Sequence, residues 1–317
     1  MGNILYVVIP CYNEEEVLPE TSSRMREKMA ALCREGKISE ESRVVFVDDG
    51  SKDNTWPMIS ALAANEPLFE GLKLSRNRGH QNALLAGLMT VRERADMVIS
   101  MDADLQDDIN AIDGMVDCYT NEGCDIVYGV RSSRKKDTFF KRFTAEGFYK
   151  VMRLMGAEVV FNHADYRLMS RRALAAMSEF TEVNVFLRGI VPMLGFKTGT
   201  VEYERSERFA GTSKYPLKKM LAFATQGITS LSIKPIRMIT TLGTLIFLAS
   251  ILMLIYFLVI HFIGWTVDGW TTIVVSVWAI GGLQLLSIGV IGEYIGKIYL
   301  ETKKRPLFIL AENTMEK

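Results

Sequence analysis

Cysteine and histidine are scarce in this 317-residue chain, with four Cys and three His. No two cysteines are spaced CxxC, so spacing offers neither a zinc ribbon nor a dithiol redox pair. Cys11, Cys33, Cys118 and Cys124 suit a reducing compartment. Surplus charge is missing too, because 37 Lys+Arg balance 37 Asp+Glu. A neutral chain lacks the basic excess that displaces counterions, so no nucleic-acid partner is expected, and an acidic disordered chain is excluded. Neither GxGxxG nor GxxxxGK(S/T) occurs, which removes the sequence marks of a dinucleotide fold and of a P-loop. No leader is expected either. Ile4–Ile9 is too short for a signal core before Pro10, and Tyr6 stands where a myristoylation motif takes Ser or Thr.

What is abundant is apolar surface. Hydrophobic residues make up 49% of the chain, and mean hydropathy is +0.13. Two uncharged runs near the C-terminus hold the surplus, Met238–Ile260 and Thr271–Gly292. At about 1.5 Å rise per residue each is roughly 33 Å long, enough for a hydrocarbon core of about 30 Å. The connector from His261 to Trp270 has no Lys or Arg, and its Trp265 and Trp270 suit a membrane interface. Lys214, Lys218, Lys219, Lys234 and Arg237 flank one side, and Lys297, Lys303, Lys304 and Arg305 the other. The positive-inside rule then predicts a two-helix transmembrane hairpin in the inner membrane, with both chain ends cytoplasmic.

Ahead of the hairpin, short apolar runs alternate with helical stretches. Ile4–Ile9, Val44–Val47, Leu72–Leu74, Met97–Met101 and Ile126–Tyr128 read as buried strands. Glu15–Cys33, Thr55–Ala64, Gln81–Glu93 and Ile109–Glu122 read as the helices between them. This alternation predicts an α/β fold around a mostly parallel sheet. The expected organisation is an α/β domain over 1–210, a juxtamembrane amphipathic segment over 211–235, two transmembrane helices over 236–296, and a cytoplasmic tail over 297–317.

Ligands of an open parallel sheet bind beyond the carboxyl ends of its strands. Four strand ends here carry polar clusters: Pro10-Cys11-Tyr12-Asn13-Glu14, Asp48-Asp49-Gly50-Ser51, Ser75-Arg76-Asn77-Arg78-Gly79-His80, and Asp102-Ala103-Asp104-Leu105-Gln106-Asp107. A lone Asp-x-Asp is usually a solvated loop. Closing an apolar strand, its two carboxylates can share one hard cation, Mg2+ or Mn2+, with substrate phosphates.

VVIPCYNEE, VFVDDGSKDNT and MDADLQD resemble the inverting GT-A (Rossmann-like) glycosyltransferases of family 2. YRLMSR, RFAGTSKYPL and EYIGKIYLE narrow the likeness to the polyprenyl-phosphate glycosyltransferases, the group of bactoprenol glucosyltransferases and dolichol-phosphate mannose synthases. The resemblance implies transfer of one sugar from a nucleotide sugar to the phosphate of a membrane polyisoprenol. It implies that Pro10, Tyr12, Glu14 and Asp49 hold the nucleoside. Asp102 would orient the donor, Asp104 and Gln106 would ligate the metal alongside Asp102, and Arg208, Ser213 and Lys214 would close on the diphosphate. Arg131 matches the acceptor-phosphate arginine; Arg142 matches loosely, since Glu146 stands where a Ser is expected. Asp165 is either a general base or an organiser of Arg167 and the sugar hydroxyls. UDP-glucose is the first choice of donor, with UDP-N-acetylglucosamine, another UDP-sugar or GDP-mannose as alternatives. Homo-oligomerisation stays open.

Residues Lys135–Gly156 and Tyr215–Ser232 read as basic amphipathic helices that lie in the headgroup layer. Rival readings are a processive polysaccharide synthase, which lacks support because QxxRW is absent, and an inactive nucleotide-sugar-binding scaffold, against which the intact acidic cluster speaks.

Overall fold

The computed structural model describes residues 2–131, 163–182, 186–204, 234–263 and 270–316. Strand β1 (Leu5–Cys11) is buried along its whole length and lies between β2 (Arg43–Asp48) and β4 (Met97–Ser100), parallel to both. Such a strand has no solvent face, which is why LYVVIPC reads as a continuous apolar run. Outward from β2 comes β3 (Phe69–Leu74), also parallel. On the other side β6 (His163–Ser170) runs antiparallel between β4 and β5 (Ile126–Arg131). The parallel β7 (Thr198–Tyr203) closes that edge. The last strand, β8 (Leu310–Asn313), runs antiparallel along β3. The sheet order is therefore β7-β5-β6-β4-β1-β2-β3-β8.

Side chains alternate across the pleat, so β1 feeds two cores. Leu5, Val7 and Ile9 join α1 (Leu18–Arg34), α2 (Thr55–Asn65) and α4 (Ala111–Glu122) on one face. Tyr6 and Val8 join α3 (His80–Val91), α5 (Arg171–Ser178) and α6 (Leu187–Met193) on the other. Each fully buried Leu, Ile or Val contributes about 2 kcal/mol by leaving water. Helix α3 approaches so closely that a Cβ at Gly87 would lie 2.3 Å from Val8 Cγ1. This is the mixed, mostly parallel three-layer α/β arrangement of a GT-A fold.

Beyond the sheet stand two long helices in contact, α7 (Lys234–Ile263) and α8 (Trp270–Lys303). Among the described residues one segment, Ile280–Lys303, is long and apolar enough to cross a membrane. It extends further toward the C-terminus than the uncharged run marked in the sequence. Large apolar side chains on both helices are exposed, including Leu245, Leu252 and Tyr256 on α7 and Val277, Leu285 and Ile288 on α8. The expected interfacial helices over Lys135–Gly156 and Tyr215–Ser232 lie outside the described residues.

Candidate active site

Strands β1 to β4 point the same way, so the loops after them share one rim. The first two loops are stitched together. The Asn13 amide donates to Ser51 Oγ (2.9 Å), the Lys52 amide to Asn13 Oδ1 (2.9 Å), and the Glu14 amide to Thr55 Oγ1 (2.9 Å). Asn13 adopts φ 54°, a left-handed conformation that Asn tolerates better than most residues, and its side chain accepts from Lys52 across the two loops. Pro10 is buried in β1, Tyr12 is exposed on the loop, and Glu14 is half-buried beside it.

Asp49 follows β2 and is 3% exposed. Its Oδ1 accepts from the Arg78 amide (2.6 Å) and its Oδ2 from the Gly79 amide (2.9 Å). The carboxylate thus braces the loop between β3 and α3, although burial still pushes its pKa up. Gly50 makes this approach feasible. Its φ is +68°, and a Cβ there would lie 2.7 Å from the Arg76 carbonyl carbon.

After β4 the chain alternates in exposure. Asp102, Asp104 and Gln106 are half-exposed, whereas Ala103, Leu105 and Asp107 are buried. Three oxygen-bearing side chains therefore leave the loop on its accessible side, and Leu105 holds the turn at φ 55°. Crowding out of water pushes the Asp102 pKa up to about 6; Asp107, Asp165 and Asp104 add repulsion while His80 pulls it back. A carboxylate cluster under that strain fits a hard divalent cation, and the all-oxygen donor set fits Mg2+ or Mn2+.

Asp165 on β6 comes to the same place. Arg188 of α6 grips it with two hydrogen bonds (3.3 and 3.0 Å), and Arg167 Nη2 donates to Oδ1 (3.0 Å). His80 Nε2 stands 3.4 Å from Asp102 Oδ1 and 3.8 Å from Asp165 Oδ2, so it bridges the two carboxylates. Burial alone would raise Asp165, but Arg188 and Arg167 outweigh it and hold the carboxyl well below the usual carboxylate range. An Asp so engaged is a poor proton acceptor.

Arg131 ends β5 and is 28% exposed at its side chain. Burial works against its charge, but Tyr203, Asp107 and Asp102 together outweigh it and raise its pKa above the usual guanidinium value. The rim thus gathers Asp102, Asp104, Gln106, Asp165 and Arg131, with Tyr12, Glu14 and Asp49 on the neighbouring loops. Arg142, Arg208, Ser213 and Lys214 lie outside the described residues.

Residues 6–177 match the family model "Glycosyl transferase family 2". The chain belongs to glycosyl transferase family 2. It is similar over nearly its whole length to the glycosyltransferase YkoT of Bacillus subtilis (strain 168), at 52% identity over 97% of this chain and 91% of that one. It is 41% identical to the bactoprenol glucosyl transferase of Shigella phage SfX, over 96% of this chain and 97% of the relative. Among solved structures it has a distant likeness to glucosyl-3-phosphoglycerate synthase from Mycobacterium tuberculosis, at 18% identity, covering 73% of this chain and 79% of that one with a TM-score of 0.48. As a family 2 enzyme it is a glycosyltransferase.

Two features of this glycosyltransferase escaped the sequence. Arg188 carries no strand-end motif, and its role emerges only where α6 packs beside β6. His80 stands in a strand-end cluster, yet nothing in the local pattern says that it faces Asp102. Spacing also missed a thiol cluster at the opposite end of the sheet. Ligand atoms of Cys118, Glu122 and Cys124 all lie within 4.8 Å of one another. Burial first, then Cys124, pushes the Cys118 thiol up to about 12, so it is protonated at neutral pH.

Proposed function

We propose that this enzyme transfers a single glucose from UDP-glucose to the phosphate of a membrane polyisoprenol, undecaprenyl phosphate, with inversion at the anomeric carbon. The observation that carries the reading is the opening of the Asp102, Asp104 and Gln106 side chains on the same rim as Arg131. A donor diphosphate and an acceptor phosphate would meet there. The full-length likeness to bactoprenol glucosyl transferases supports the same chemistry.

A phosphate monoester has its second pKa near about 6 and is mostly dianionic at neutral pH. Its oxygen attacks the anomeric carbon while the bond from that carbon to the UDP diphosphate breaks and UDP leaves. No proton has to be removed from the nucleophile, which agrees with Asp165 being locked onto two arginines. Asp165 and His80 instead fix the Asp102 side of the sugar pocket. Asp104, Gln106 and Asp102 would hold Mg2+ or Mn2+, which when bound supplies positive charge to the departing diphosphate. Arg131 positions the acceptor anion through bidentate geometry. Pro10, Tyr12, Glu14 and Asp49 would form the nucleoside floor. Arg208, Ser213 and Lys214 would close on the diphosphate, and Arg142 would assist Arg131.

We also place the catalytic domain at the cytoplasmic leaflet, held there by α7 and α8 as a spanning pair. Their exposed apolar side chains support this, since such a surface needs a non-aqueous partner. Holding the acceptor close replaces a search through bulk water.

The test is a nucleotide-sugar panel with undecaprenyl phosphate and Mg2+ or Mn2+, read as lipid-linked sugar. UDP-glucose is expected to lead, chelator to abolish turnover, and Asp104→Ala to reduce it by about a hundredfold or more. Transfer only to water-soluble sugars would defeat the lipid-acceptor reading.

A further inference from the structure

Arg131 is held from behind by Tyr203, which lies in no motif of the sequence, and by Asp107, the last residue of MDADLQD, to which the resemblance gives no role. The parallel register of β5 and β7 sets Arg131 opposite Tyr203. The Tyr203 hydroxyl accepts from Arg131 Nε (3.4 Å) and donates to Asp107 Oδ1 (2.5 Å). Arg131 Nη2 lies 3.5 Å from the same Asp107 oxygen. The Asp107 side chain is 1% exposed and that of Arg131 28%, so a buried carboxylate anchors a guanidinium that reaches toward solvent.

The anchor is itself braced. The Tyr203 ring meets the Tyr166 ring edge-on, with centroids 5.4 Å apart, and the Tyr166 hydroxyl donates to the Asp108 carbonyl (3.0 Å). Gly129 leaves room for this pair, since a Cβ there would lie 2.9 Å from Tyr166 Cδ1 and 3.0 Å from Tyr203 Cε1. Asp107 follows Gln106 directly. The loop that offers oxygens to the donor is therefore fastened, one residue on, to the arginine that faces the acceptor.

We infer that Asp107 and Tyr203 are positioning residues for the acceptor phosphate, acting through Arg131; this rests on the reading of Arg131 as the acceptor-phosphate ligand. An unanchored arginine has many rotamers to lose when it binds an anion. Fixed at Nε and Nη2, it presents its guanidinium in one orientation and binds phosphate without that loss. Tyr203→Phe is the clean probe, because it removes both hydroxyl bonds and keeps the ring packed on Tyr166.

Using the full chain in vesicles, kinetics with UDP-glucose and undecaprenyl phosphate should show Tyr203→Phe raising the acceptor KM about tenfold, the loss of one charge-assisted hydrogen bond. The donor KM should stay within about twofold. Asp107→Asn should move the same parameter in the same direction. Calorimetry with a short-chain polyprenyl phosphate should give the same weakening without turnover. The double variant Tyr203→Phe/Arg131→Lys should bind acceptor no worse than Arg131→Lys alone, because both act on one group. Additive losses, or equal rises in donor and acceptor KM, would overturn the positioning role. If Arg131→Lys itself leaves acceptor binding unchanged, the underlying reading of Arg131 fails, and the inference goes with it.

Discussion

Asp165 is clamped by Arg167 and Arg188 and is approached by His80, with its own side chain 10% exposed. Arg167 is 1% exposed, so its charge depends on this carboxylate. Replacing Asp165 by Asn leaves a buried guanidinium without a counter-charge, and thermal or denaturant unfolding should register a loss of about 3 kcal/mol. The pH dependence has a definite sign. A carboxyl held below its unfolded value of about 3.9 stabilises the fold fully above that pH and progressively less as pH falls toward the lower folded value. Melting of the native chain should therefore weaken below about pH 4, and Asp165→Asn should flatten that slope. An unchanged slope would mean that the pair is not what holds the site together. The sequence offered the Asp165–Arg167 pairing as one of two roles for Asp165, but not the strand β6 that sets residues two apart on one face. Arg188 was not visible, since it meets Asp165 across 23 positions through packing of α6.

The central parallel strands were visible in the sequence, because continuous apolar runs have no alternative use in a buried sheet. Strand β8 was not. Its sequence LAEN is short and half polar, with no apolar alternation, so nothing local marks it as a strand. It forms by pairing with β3 and through anchors around it: the Gly71 amide donates to Thr314 Oγ1 (2.8 Å), and Lys73 pairs with Glu312 (2.8 Å). Leu307, Phe308, Leu310 and Met315 pack against the core to which α3 contributes. β7 is similar, with an alternating, largely exposed pattern that gains order only beside β5. Removing residues 307–317 should therefore cost the catalytic domain at least about 3 kcal/mol, from apolar contacts and ladder bonds together. The measurement is a melting curve of the truncated protein in detergent. A melting temperature equal to that of the full chain would show that the edge strand stabilises nothing.

Strand β8 also constrains the whole molecule. β3 precedes α7 and α8 in the chain, β8 follows them, and the two strands are hydrogen-bonded in one sheet. If α7 and α8 span a bilayer as proposed, this pairing requires both ends of the helix pair to lie on one side of it, so the proposal predicts an even number of crossings. The charge pattern of the sequence leads to the same expectation, with Lys and Arg on both flanks and none in the connector. Among the described residues one stretch, Ile280–Lys303, is long and apolar enough to span; the exposed Leu252 and Leu285 support the proposal of two crossings, because a pair resting beside the catalytic domain in water would leave this apolar surface wet. Proposed as a spanning pair, α7 and α8 predict opposite labelling of two engineered cysteines by a membrane-impermeant maleimide in intact cells. Thr266→Cys in the connector should react at once, and Lys304→Cys, beyond α8, only after permeabilisation. Equal protection of both would mean that the helices lie on the membrane without crossing it. Reaction of Lys304→Cys alone would separate the chain's end from the sheet that β8 completes, and the pairing of β3 with β8 would have to be given up with it.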